Sequence, residues 1–193
     1  MAARLGEKND GMTDSRRISA GMLQNCLSEE IHVHRVAAVN LCYDLNRTKP
    51  SDLTARERIL DKLLPNADCP RVASPFHCEF GFNIYAKRGL VIENDLLVFD
   101  FAPVTFGENV RVGAGCTFVT SFHPMAPSKR DTDVAFALPI TIGDNVVFGE
   151  GVKVIGGVTI GDNVSIGAGS VVTKDIPSDC YAEGSPCKVV RKL

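Results

Sequence analysis

The stretch ITIGDNVVFGEGVKVIGGVTIGDNVSIGAGSVV, residues 140–172, decides the fold. A bulky apolar residue returns every sixth position, at Ile142, Phe148, Val154, Ile160 and Ile166, and all but Val154 are followed directly by Gly. Neither the 3.6-residue turn of a helix nor the two-residue alternation of a strand generates this spacing. A fixed short period marks a unit that buries its apolar side only by stacking on its neighbours. Six residues hold one short strand and one turn, so three units make one coil of a triangular parallel β-helix. The apolar first position points inward, small residues at the turn allow close approach or positive φ, and β-branched residues fill the next strand. The pairs Asp144-Asn145, Asp162-Asn163 and Glu108-Asn109 suit the turns, because Asn tolerates left-handed backbone; a structural role suffices for them.

Working outward, Phe106, Val112 and Phe118 keep the same step, and Ala86, Ile92 and Val98 form a weaker block before them. Two extra residues separate these blocks, around Ala102-Pro103. The period breaks between Phe118 and Ile142, where SFHPMAPSKRDTDVAFALP is rich in Pro and charge; an excursion loop is expected at about 121–138, carrying His123. Upstream, Val33, Ala37, Leu41 and Leu45 recur every fourth residue and predict an amphipathic helix within Arg16 to about Asn46. A second helix is expected after Pro50, N-capped by Ser51 or Thr54, with Thr54 and Glu57 at capping-box spacing. Ile59, Leu60, Leu63 and Leu64 form its apolar face, and Pro65 ends it. A hairpin this small needs a partner surface, so it packs on the segment after it. The expected organisation is a flexible N-terminus (1–15), a helical segment (16–73) and a β-helix (74–193) with the excursion and a C-terminal tail.

The 193-residue chain fits one folded unit, and its 45% apolar content can fill a core. A formal charge of −2 without a long Lys/Arg run offers no footprint for nucleic acid or an anionic membrane. No apolar run approaches the roughly 20 residues of a membrane span, and MAARLGEKNDGM has no apolar core of a signal peptide, which points to the cytoplasm. The final RKL departs from the peroxisomal SKL form and reads as a basic ending. Seven Cys, an odd number without C-x-x-C spacing, fit small buried hydrophobes in a reducing compartment rather than a zinc site.

The order of PSDLTARERILDKLL, PFHCEFGFNI, APVTFGENVRVG, SFHP, PITIGDNV, GGVTIGDNVSIGAGSVVTKDIP and GSPCKVVRKL resembles the hexapeptide-repeat acyltransferases, and within them the maltose, galactoside and nodulation sugar O-acetyltransferases, over roughly residues 16–193. That resemblance implies a left-handed β-helix and a homotrimer with its site between subunits. It also implies acetyl-CoA as donor, the hydroxyl of a small-molecule acceptor, a sugar by the family's habit, and no metal. By resemblance His123 is the general base of a direct transfer; an imidazole with a reference pKa of about 6.5 is poised for that task at neutral pH. For CoA, Glu150 and Ala168 would line the pantetheine channel through their backbones. Thr173 and Lys174 would lie along the nucleotide end, and Lys188 and Arg191 would approach the phosphates. On the acceptor side Glu79 and Asn83 keep the family's polar character. Asn25 stands where the family has Asp, Glu93 where it has Asn, and Phe101 where some members have a second polar residue. Val147 stands where Trp is frequent.

These departures admit two readings: an amide and a carboxylate have exchanged places, Asn25 with Glu93, leaving a carboxylate near His123, or Phe101 makes the pocket apolar and suited to a non-sugar alcohol or amine. The turn Phe148–Gly151 is a candidate source of a backbone N–H for the oxyanion. Competing classes are a catalytically silent CoA-fold binding protein and a zinc lyase on the same coils. The lyase needs three converging histidines, yet only His77 and His123 lie in the repeats, while His32 and His34 lie in the helical segment. Without the resemblance, His123 reads as a turn residue before Pro124, and Lys188 and Arg191 as a solvated end.

Overall fold

The computed structural model describes residues 12–20, 24–25, 28–123, 125–127 and 134–193. The period of six becomes a left-handed parallel β-helix of about five coils with three faces. Face I stacks strands Phe76–Cys78, Leu96–Phe99, Thr117–Val119, Lys153–Ile155 and Val171–Val172. Face II stacks Asn66–Ala67, Ile84–Ala86, Val104–Phe106, Ile140–Ile142 and Thr159–Ile160. Face III runs from Arg71–Val72 through Val91–Ile92, Arg111–Val112, Val147–Phe148 and Val164–Ile166 to Cys180–Gly184 and Cys187–Lys192.

Register ties the period to the coil. Ile142 pairs with Ile160, Phe148 with Ile166 and Val154 with Val172, each 18 residues apart, which is three units of six. Ala86, Ile92 and Val98 pair with Phe106, Val112 and Phe118 at 20 residues, so the two extra residues fall at the corner after Phe99. All these first positions are buried. Within the prism the rings of Phe106, Phe118 and Phe148 meet edge to face, 5.4 Å between successive centroids, so neighbouring coils interlock as well as stack.

The corner between faces II and III explains the Asn residues. Asn109, Asn145 and Asn163 adopt φ of 55°, 56° and 55°. Each side-chain amide donates to the next coil: Asn109 to Asn145 at 3.4 Å, Asn145 to Asn163 at 3.1 Å, Asn163 to Asp179 at 2.8 Å. Beside this ladder the backbone N–H groups of Glu108, Asp144 and Asp162 donate to the side chains of Asp144, Asp162 and Ser178. The expected structural role therefore holds.

Among the described residues three helices precede the coils: α1 (Asp14–Ser19), α2 (Glu29–Arg47) and α3 (Leu53–Leu63). The expected N-terminal stretch 1–15 lies outside the described residues up to residue 11, and Asp14 and Ser15 already belong to α1. α2 buries Ile31, Ala38, Cys42 and Leu45; of the expected face, Leu45 is buried and Leu41 packs against the core, whereas Ala37 and Val33 are exposed, so that face departs from the buried one toward the start of the helix. The cause is geometric: a strict step of four drifts about 40° per step against a 3.6-residue turn. α3 is capped by Asp52, whose side chain accepts from Ala55 N–H, and not by Ser51 or Thr54. Buried Arg56 donates to the carbonyls of Leu45, Thr48 and Val72 and to Ser74 Oγ, clamping the end of α2 to the first coil. That coil starts at Asn66, earlier than the expected boundary at 74. The expected C-terminal tail contains an antiparallel strand, Cys187–Lys192, on Cys180–Gly184.

The excursion leaves face I after Val119 and rejoins face II at Ile140, so Phe118 pairs with Val154 at 36 residues, twice the usual coil. Ser121–Phe122 pairs antiparallel with Val134–Ala137, which pairs in turn with Gln24–Asn25. Residues 124 and 128–133 of the loop lie outside the described residues. No helix among the described residues is long and apolar enough to cross a membrane.

Candidate active site

The corner between faces I and II gathers the polar groups. His123 follows Phe122, whose ring stacks on Phe136 with centroids 5.2 Å apart. Continuing the register of Ser121 with Ala137 and Phe122 with Phe136 sets His123 opposite Ala135, which pairs with Gln24 on its other side. Exposed His123, just beyond one outer strand, and the backbone of Asn25, on the other, thus flank one small sheet; the Asn25 side chain lies outside the described residues. The sheet rests on Gly156 and Gly157. A Cβ on Gly156 would stand 2.6 Å from Leu138 O and 2.9 Å from Thr120 O, so only glycine lets the roots of the excursion cross there.

Below His123, the same corner holds Asp100, which no motif in the sequence marks. Its buried carboxylate accepts from the N–H groups of Glu79 (3.0 Å), Phe80 (3.0 Å) and Gly81 (2.8 Å), and its carbonyl accepts from Asn83 Nδ2 at 2.8 Å. Burial pushes this carboxyl up to about 6, against the opposite pull of those N–H groups. Glu79 is partly buried and accepts from Arg35 Nε of α2.

Two expected acceptor contacts take other places. Phe101 is 8% exposed, set edge-on against Phe80 at 5.1 Å with the Arg35 guanidinium 5.8 Å from its ring centre, so it packs inside a second apolar cluster instead of lining an open pocket. Asn83 is fully buried and bonded to Asp100 O, which makes it a support of the loop.

Glu93 lies on a different corner, between faces III and I, where it lines a groove of about 480 Å³ with Arg56, Glu57 and Arg71 beside α3. Within one chain face I separates it from His123, so no exchange of Asn25 with Glu93 occurs inside a single subunit. On this corner the triplets Glu93-Asn94-Asp95, Gly113-Ala114-Gly115, Gly149-Glu150-Gly151 and Gly167-Ala168-Gly169 stack, linked by N–H bonds of 2.8–3.0 Å from Gly115, Gly151 and Gly169 to Asn94, Ala114 and Glu150. Gly149 likewise donates to Ile166 O, so the N–H groups of Gly149 and Gly151 are both engaged along the stack. The third members have φ of 61°, 70°, 68° and 69°; Asp95 alone among them carries a side chain. A Cβ on Gly151 or Gly169 would meet nothing within 4 Å, leaving a bare strip of backbone beside exposed Glu150 and Ala168.

Thr173 and Lys174 are exposed on the His123 corner, after strand Val171–Val172. Lys188 pairs across from Glu183 beside the turn at Gly184, and Arg191 lies over the Tyr181 ring at 5.3 Å. The proposed donor residues therefore also divide between corners. The histidines do not converge: His77 is exposed on face I and His34 sits edge-on to Phe82, and among the described residues no group of three metal-ligating side chains occurs.

Known proteins share this architecture. Residues 139–174 match the bacterial transferase hexapeptide (six repeats) model and residues 17–67 the maltose acetyltransferase hexapeptide capping motif. The galactoside O-acetyltransferase of Escherichia coli K12 is 36% identical over 183 residues, spanning 94% of this chain and 90% of its own. A putative acetyltransferase of Saccharomyces cerevisiae is 34% identical over 184 residues, covering 90% and 93%. Among solved structures, a maltose O-acetyltransferase from Clostridium difficile 630 superposes with a TM-score of 0.89 at 34% identity over 94% of this chain and 98% of that one. A galactoside acetyltransferase in complex with coenzyme A gives 0.84 at 35% identity over 94% and 91%. Matched along nearly its whole length, and folded as they are, the chain belongs to the hexapeptide-repeat acetyltransferases, in the group of the maltose and galactoside enzymes.

Proposed function

We propose that the protein transfers acetyl from acetyl-CoA to a hydroxyl of a sugar, with His123 as general base, at sites built between the subunits of a homotrimer. One observation carries this reading: the residues assigned to one site lie on two corners that flank the same face. Outward on face I, Phe99, Val119 and Ile155 form one partly exposed apolar column, beside a mixed column of His77, Leu97, Thr117, Lys153 and Val171, whereas face II turns Tyr85, Thr105, Thr141 and Thr159 outward. Three prisms that bury face I around a threefold axis bring the His123 corner of each against the Glu150–Ala168 corner of the next. Glu93 and Asp95 then approach the neighbour's His123, and Asn25 and Glu93 become neighbours across the interface.

The chemistry follows from the groups present. The acceptor oxygen attacks the thioester carbonyl, its proton passes to the His123 imidazole, and collapse breaks the C–S bond, with the proton returned to the departing thiolate. The bare strip at Gly151 and Gly169 suits a thin amide-bearing arm, with Lys188 near one end for phosphate oxygens. Relatives named for galactoside and maltose favour a sugar acceptor, and the burial of Phe101 removes the main reason to expect an apolar one. The test is release of CoA thiol from acetyl-CoA with mass detection of products across sugars, sugar alcohols, amines and hydroxylated aromatics. An acetylated sugar is expected; turnover confined to an amine or aromatic alcohol would overturn the sugar assignment. Sedimentation giving a monomer under assay conditions would overturn the shared site.

A further inference from the structure

We propose that Asp100 is a positioning residue for acceptor binding: its carboxylate holds the Glu79–Gly81 loop in the pose that serves the acceptor, while donor binding does not depend on it. The inference rests on the reading of this corner as the acceptor side. Three consecutive N–H groups point at one buried carboxylate, Oδ1 taking Glu79 and Phe80 and Oδ2 taking Gly81. The arrangement needs an acceptor at both oxygens. A neutral side chain at this place sets one donor against an N–H donor and frees part of the loop.

The loop is held from outside as well. Arg35 of α2 grips the Glu79 carboxylate and lies over Phe101, so Asp100 from below and Arg35 from above fix the direction of Glu79. The other titratable groups around Asp100 are Cys42 on α2 and Cys78 on face I, whose sulfurs are 3.8 Å apart, together with Glu79 itself. Among the described residues Asp100 pairs with no cation: Arg35 bonds the Glu79 side chain, and the negative charge of Asp100 is supported by backbone dipoles. Within one chain the corner with Glu150 and Ala168 lies across face I and touches none of these groups.

The test compares wild type with Asp100→Asn. A lost charged hydrogen bond should raise the KM for the acceptor about tenfold or more, with kcat and the KM for acetyl-CoA within about twofold. Hydrogen exchange at the amides of Glu79, Phe80 and Gly81 should quicken by a similar factor. Parallel loss of all kinetic constants, or unchanged acceptor KM, would overturn the proposal. Should the wild type acetylate no acceptor, the functional reading fails separately, and unchanged protection of the three amides in the variant would still overturn the hold on the loop. If the variant does not fold, the wild type decides by NMR: the three amide signals should titrate together with the Asp100 carboxyl, near pH 6. Independent titration refutes the coupling.

Discussion

Replacing Gly156 by Ala should disable the enzyme while leaving most of its fold. The new Cβ would lie 2.6 Å from Leu138 O, 2.9 Å from Thr120 O and 3.0 Å from the Phe122 ring, where ordinary contact begins at 3.4 Å. To clear it, the Leu138 carbonyl must withdraw by about 0.8 Å, and Thr120 moves with it because Leu138 N–H donates to Thr120 O at 2.9 Å. Both atoms are roots of the excursion, and His123 is three residues beyond Thr120. Overpacking of this size should cost about 1–3 kcal/mol of stability. A displacement near 1 Å at His123, the proposed base, should lower turnover by about 10²-fold. Gly157→Ala is the control: its Cβ would meet the movable Leu138 Cδ1 at 3.1 Å, and although φ is +86° the loop roots need not shift. Urea denaturation and thiol release measured on both variants decide the matter. Wild-type turnover in Gly156→Ala, or an equal loss in Gly157→Ala, would refute the view that this glycine sets the histidine's position.

His123→Ala should cut turnover by about 10²–10⁴-fold with CoA affinity unchanged in calorimetry; retained activity would remove the general-base role. Phe118→Ala, at a side chain with no exposure between two rings, should cost about 3–5 kcal/mol in denaturant unfolding, and a cost below about 1 kcal/mol would contradict the interlocked core. For pH, the folded Asp100 carboxyl at about 6 lies above its ordinary 3.8, so the native state binds the proton more tightly. Its favourable contribution is complete below the ordinary value and is lost as pH rises through about 6. Relative to Asp100→Asn, wild-type stability should therefore fall by about 3 kcal/mol from acid to neutral pH, and a rise over that range would reverse the assignment.

The coils were legible because each six-residue unit repeats the same inward position, and even the two-residue expansion at Ala102-Pro103 appears as a change of step. The helix faces were less so, since Val33, Ala37 and Leu41 match a spacing of four almost as well as Ala38, Cys42 and Leu45 match the surface they pack on. Asp100 and Arg56 escaped notice for a shared reason: a charged residue in a corner or helix gives no sign in sequence that backbone groups from distant segments will close around it.

The two ends of the prism bear on how the protein stays discrete. A stack of parallel coils presents open backbone at top and bottom, each able to accept another molecule's coil and so extend into a fibre. At the start, α2 and α3 sit on the first coil through the Arg56 clamp. At the finish, Cys187–Lys192 reverses direction and ends face III in an edge carrying Lys188, Arg191 and Lys192, whose charges oppose a further strand. A repeat with no inherent stopping length is thereby given one, and shortening either end would leave a coil open to pairing with another molecule's.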